Sequence, residues 1–80
     1  MPYFVYILLC SDNSYYIGST NNLKKRFAAH KVGKGGAYTR SHRPLKILHT
    51  EKHPDKSSAL RREVQLKRLT RSQKEALYKR

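Results

Sequence analysis

Eighty residues carry eighteen Lys and Arg against five Asp and Glu, a formal charge of +13. That length is expected to form one small domain over residues 1–80, which excludes a second domain, an acidic disordered tail and a dehydrogenase-sized cofactor fold. A domain of this size buries about 60–65% of its unfolded surface and is expected to be stable by about 4–12 kcal/mol. The five carboxylates available for chemistry are Asp12, Glu51, Asp55, Glu63 and Glu75. The one cysteine, Cys10, excludes an internal disulfide and a cysteine-built zinc site, and favours a reducing, cytoplasmic setting.

The first element is the apolar run from Tyr3 to Cys10. It is too short to cross a bilayer, and no basic residue precedes it, the first being Lys24, so it is expected to be neither membrane anchor nor leader. Phe4, Tyr6, Leu8 and Cys10 alternate with Tyr3, Val5, Ile7 and Leu9, and both sets are apolar. A strand covered on both faces has this pattern, which predicts a central place in the sheet. Ser11 to Ser14 is a turn cluster and Tyr15-Tyr16-Ile17-Gly18 a second strand, so the two form a hairpin.

Ser19 to Asn22 offers helix caps for a first helix over roughly 22–32, ended by Gly33. Lys34 to Pro44 is expected to be an exposed loop. A third strand follows, with Leu45, Ile47 and His49 alternating against Lys46, Leu48 and Thr50. His53-Pro54-Asp55 opens a second helix to about Leu69. A last helix starts near Thr70, where Thr70 and Gln73 have capping-box spacing. The expected fold is α+β, a three-stranded antiparallel sheet flanked by three helices in the order β-β-α-β-α-α.

Polar residues on apolar faces carry most of the functional information. On the helix from Asp55, Ala59, Leu60, Val64 and Leu66 define one arc with Glu63 near its middle, while Arg61, Arg62, Gln65 and Arg68 lie opposite. A carboxylate there needs a partner or a cation; Lys67, one turn on, is the simplest partner. On the first helix Arg26 and His30 sit four residues apart beside the Leu23/Phe27 stripe, able to grip a phosphate or to form an ordinary solvated flank. Tyr6 and Tyr16 share a face of the hairpin only if its loop has an odd number of residues. Packing in the core is the simpler role for either ring. Gly33 to Gly36 lacks the P-loop ending, and His49 with His53 straddles a strand end, which disfavours a zinc pair.

Tyr6, Tyr16-Ile17-Gly18, Arg26, His30 and Glu63, in this order on this layout, resemble the GIY-YIG nuclease domain, and the small stand-alone bacterial subgroup in particular. Tyr16-Ile17-Gly18 matches the second half of the signature, whereas Phe4-Val5-Tyr6 replaces Gly-Ile-Tyr in the first. Gly36 to Arg40 and Leu60 to Glu63 also look like that subgroup. The resemblance implies hydrolysis of nucleic-acid phosphodiesters, of DNA rather than RNA and in a setting such as DNA repair, with one divalent cation, Mg²⁺ or Mn²⁺, held by Glu63. It implies that Tyr6 helps deprotonate the attacking water, with neighbouring positive charge lowering its pKa. Arg26 would stabilise the transition state, and Tyr16 and His30 would position water or phosphate.

Lys24, Lys25, Lys34, Tyr38, Arg40, Arg43 and Lys67 are the expected nucleic-acid contacts. Larger members of the family it resembles carry a separate recognition domain, and many have a late asparagine. This sequence has no asparagine after Asn22 and no such domain is expected in it, so the resemblance implies weak or structure-directed rather than sequence-specific cleavage. The expected protein is a monomer with no membrane contact and no small-molecule cofactor. The alternative reading is a non-catalytic basic module that binds RNA or the ribosome through Tyr38, Arg40, His42 and Arg43. A third reading is a protein-interaction or purely structural domain whose basicity serves only solubility.

Overall fold

The computed structural model describes residues 2–34 and 41–79. In them β1 (Tyr3–Cys10) lies between β2 (Tyr15–Thr20) and β3 (Pro44–His53), antiparallel to both. The central place expected from the two-sided apolar run is the one observed. Helices α1 (Leu23–Lys31), α2 (Lys56–Arg68) and α3 (Arg71–Tyr78) complete the order β-β-α-β-α-α. No helix among these residues is long and apolar enough to cross a membrane.

The hairpin loop settles which face each tyrosine occupies. Cys10 N–H donates to the Ser14 carbonyl (2.9 Å) and Asn13 N–H to the Cys10 carbonyl (2.9 Å), and Asn13 takes a left-handed φ of 68°. This is a three-residue loop with a left-handed closing residue, a role asparagine tolerates well. Its odd length pairs Tyr6 with Gly18 and Leu8 with Tyr16, so both tyrosines face the same way.

The opposite face carries Val5, Ile7 and Ile17, which form the buried cluster with Ala59 and Leu66 of α2. Tyr3, Tyr15, Leu48, Leu69 and Leu77 pack around it. β1 is therefore covered twice, by α2 on one side and by His30 of α1 on the other.

Local signals fix the helix ends. The Asn22 side chain accepts from Lys25 N–H and Asp55 from Ser58 N–H, while Thr70 and Gln73 form a reciprocal capping box. Gly33, at φ 80°, ends α1 in a conformation that disfavours any side chain. Helix α3 docks through Tyr15: its hydroxyl meets that of Tyr78 at 2.5 Å, and the Arg71 guanidinium lies 4.1 Å over its ring.

Four expectations need correction. Pro44 is not part of an exposed loop; it is buried and begins β3, the strand position that a residue without an N–H tolerates. The third strand is longer than expected, and its simple alternation breaks at a register shift. His49 stands opposite Ile7 but Ile47 opposite Leu8, so a bulge at Leu48 sends them to different faces. On α2, Leu60 and Val64 are exposed at 43% and 49%, and the buried stripe is Ala59 and Leu66 alone. Arg62 is not on the far side; it reaches β3.

Candidate active site

Gly18 makes the site possible. Standing opposite Tyr6 on β2, it leaves the space into which the Tyr6 ring lies: a Cβ there would be 2.6 Å from Tyr6 Oη, 2.8 Å from its Cζ and 3.2 Å from Tyr16 Cε1. Tyr6 is 2% exposed, and its hydroxyl lies 2.9 Å from His30 Nε2. The three rings form a cluster, with centroids 6.3 Å apart for Tyr6–Tyr16, 5.8 Å for Tyr6–His30 and 5.0 Å for Tyr16–His30.

His30 was expected on the rim of α1 beside Arg26. It is instead wholly buried, at the centre of the helix face that meets the sheet. Arg26, one turn earlier and half-buried, hydrogen-bonds to Tyr6. The hairpin thus supplies two phenols, and one turn of α1 supplies an imidazole and a guanidinium to the same place.

The electrostatics differ from the expectation that positive charge lowers the Tyr6 pKa. Burial pushes the phenol up to about 12, reinforced by the nearby Tyr16 and Glu63, and the hydrogen bond and charge of Arg26 offset this only in part. Desolvation disfavours the phenolate more than one cation favours it. His30 is lowered from 6.5, by burial first and by Arg26 second. At neutral pH the pair therefore consists of a protonated phenol and an uncharged imidazole. With the ring proton on Nδ1, Nε2 accepts from the Tyr6 hydroxyl.

Glu63 lies on a flank of the α2 stripe rather than at its middle. Its side chain is 18% exposed, and the Lys67 ammonium donates to Oε2 at 3.0 Å. Among the described residues no group of three or more His, Cys, Asp or Glu is arranged to hold a metal ion. A single hard carboxylate suits Mg²⁺ or Mn²⁺, ions that keep several waters and take further oxygens from a phosphate. The donor set fits that class of ion and not a tetrahedral zinc.

The expected nucleic-acid contacts fall into two groups. Lys24, Lys25, Lys34, Arg43 and Lys67 are exposed. Lys25 and Arg26 line one cleft of about 240 Å³ with Thr20, Asn21, Asn22 and Ala29, beside the start of α1. Tyr38 and Arg40 lie outside the described residues.

Sequence reading missed Gly18 as a spatial requirement, although its place two residues after Tyr16 was a usable signal. It also missed Glu51. That carboxylate accepts from Arg62 Nε (2.8 Å) and Nη2 (3.0 Å), and lies 2.9 Å from His49 Nε2 and 3.4 Å from His53 Nε2. The two histidines doubted as a zinc pair converge on a carboxylate already held by arginine.

Comparison with known proteins places the chain in a family. Residues 2–76 match the GIY-YIG catalytic domain family. A UPF0213 protein of Halobacterium salinarum is 47% identical over 92% of this chain and 96% of its own length. One from Bacillus velezensis is 48% identical over 91% of this chain and 74% of its own. The solution NMR structure of a UPF0213 protein from Bacillus halodurans superposes with a TM-score of 0.60 at 42% identity, covering 96% of this chain and 82% of that one. The chain therefore belongs to the GIY-YIG family of nuclease domains, alongside the small UPF0213 proteins.

Proposed function

We propose that this domain is a divalent-metal-dependent endonuclease that cuts DNA at structural features rather than at a defined sequence. The observation that carries the reading is the buried Tyr6–His30 pair, with Tyr16 and Arg26 against it. A module that only gripped nucleic acid would need exposed cations, not a phenol desolvated against an imidazole with a guanidinium bonded to it.

In this reading Tyr6 and His30 act as a relay. The attacking water gives its proton to Tyr6 Oη as the Tyr6 proton passes to His30 Nε2, leaving an imidazolium. A neutral His30 is ready to accept, and the phenol need not ionise beforehand, which a pKa of about 12 would oppose. Arg26 meets the negative charge that grows on the phosphoryl oxygens. Tyr16 orients the water or a phosphate oxygen. Glu63 would hold Mg²⁺ or Mn²⁺, whose contribution is Lewis-acid stabilisation of the leaving oxygen. Lys67, released from Glu63, would meet the backbone, and Lys24, Lys25, Lys34 and Arg43 would gather it.

The test is nicking of supercoiled plasmid and cleavage of branched DNA with Mg²⁺, with Mn²⁺ and with a chelator. Cleavage is expected to need the ion and to fall about 100-fold or more in Glu63→Ala. DNA affinity in that variant should stay within a few fold and remain steeply salt-dependent. Unchanged cleavage in Glu63→Ala refutes the reading.

A further inference from the structure

The ion pair between Glu51 and Arg62 crosses from β3 to α2 at a place where apolar packing leaves the helix loosely specified. Only Ala59 and Leu66 of α2 are buried, and an alanine offers a smooth seat that resists rotation weakly. Arg62 and Glu63 flank this stripe on opposite sides, each about 50° of azimuth from its centre, because consecutive helical residues stand about 100° apart. Whatever fixes the azimuth of Arg62 also fixes that of Glu63.

Arg62 is fixed twice over, since both of its bonds to Glu51 form one fork-to-fork contact that cannot pivot as a single bond can. Glu51 is itself held, with His49 and His53 two residues away on either side along the strand and both ring nitrogens turned to its oxygens. The other carboxylate pair of α2, Glu63 with Lys67, lies within the helix and constrains no neighbouring element.

We infer that Glu51 and Arg62 are positioning residues that set the rotation of α2 and so the direction in which the Glu63 carboxylate is presented to a cation. This rests on the reading of Glu63 as the cation ligand. It adds that the ligand's aim is set from the strand on the far side of the helix. Outer contacts of this kind are typically worth about 10-fold or more in metal affinity.

The test measures Mn²⁺ binding to the full chain, with Mn²⁺ alone as probe, by paramagnetic broadening of the backbone amide signals of Glu63 and Lys67. Cleavage kinetics are measured in parallel. Arg62→Ala and Glu51→Gln are each expected to raise the Mn²⁺ midpoint about 10-fold and to lower kcat with KM for DNA little changed. The Arg62→Ala/Glu51→Gln double variant should do no more than either alone. Arg62→Lys, which keeps the charge and the aliphatic stem but not the fork, should fall between and remain folded if the alanine variant does not. Tyr78→Phe, which loosens α3 without touching the clamp, should leave the midpoint where it was. If the Arg62 and Glu51 variants bind Mn²⁺ as the parent does while Glu63→Ala abolishes the broadening, the positioning role is overturned and the ligand reading stands. If Glu63→Ala also leaves the broadening intact, both are overturned.

Discussion

Replacing Gly18 by alanine adds one methyl group at the point where the hairpin holds its catalytic candidate. The new Cβ would stand 2.6 Å from Tyr6 Oη and 2.8 Å from Cζ, well inside contact distance. A hydroxyl at the end of a side chain could ordinarily swing aside. Here the ring is 2% exposed, its oxygen is engaged by His30, and Tyr16 closes the neighbouring space at 3.2 Å from the same Cβ. Overpacking of this kind costs about 1–3 kcal/mol, and loss of the Tyr6–His30 hydrogen bond adds about 1 kcal/mol. The entropy that glycine loses in a strand returns about 0.5–1 kcal/mol, because Gly18 does not have a positive φ.

The net expectation is a loss of about 1–3 kcal/mol, or a Tm lower by roughly 5–20 °C for a domain of this size. A displacement of about 1 Å at Tyr6 should also reduce cleavage about 100-fold. Thermal unfolding by circular dichroism and plasmid nicking provide the two readouts. In the double variant Tyr6→Phe/Gly18→Ala the closest clash is gone, so the two substitutions should destabilise by less than the sum of their separate effects. A Gly18→Ala protein with parental Tm and parental cleavage would refute the claim that this glycine exists to seat Tyr6.

Two further outcomes follow from the charges. If the proton leaves Tyr6 through His30, the cleavage rate should rise with pH only at the acid end. Its midpoint should lie below 6.5, because burial and Arg26 lower the imidazole pKa, and the rate should be flat through neutrality. His30→Ala should convert that plateau into a rate climbing toward the Tyr6 pKa of about 12, and an unchanged profile would sink the relay. In the second case, Arg62, His49 and His53 outweigh burial and hold Glu51 at about 2 against an ordinary 4.5. A depressed carboxylate stabilises the fold above its unfolded pKa, and that contribution is lost as pH falls from about 4.5 to 2. The difference corresponds to about 3 kcal/mol, reduced to about 1–2 kcal/mol by partial solvent access to the pair. Urea unfolding should therefore show Glu51→Gln less stable than the parent at pH 6, with the gap closing by pH 2; a constant gap would contradict the assignment.

The sequence by itself determined the features whose causes are local. Alternation apolar on both sides marked β1 as central, since only a strand covered twice can afford it. Asn22, Asp55 and the Thr70–Gln73 pair marked three helix starts, because a cap is a bond to a residue three positions on. The ordered set Tyr6, Tyr16-Ile17-Gly18, Arg26, His30 and Glu63 pointed to the GIY-YIG family before any distance was known. Loop parity was left open, because Ser11 to Ser14 can turn in more than one way; only the left-handed Asn13 fixed both tyrosines on one face.

What depended on contacts between distant elements was decided by the tertiary structure. The apolar arc of α2 included Leu60 and Val64, which drew its apparent centre toward Glu63; the sheet beneath had room for only Ala59 and Leu66. That shift moved Glu63 to a flank and brought Arg62 to Glu51, eleven residues away in the chain. Burial likewise reversed the expected direction of the Tyr6 pKa. Desolvation depends on everything packed around a group, and no pattern along the chain records it.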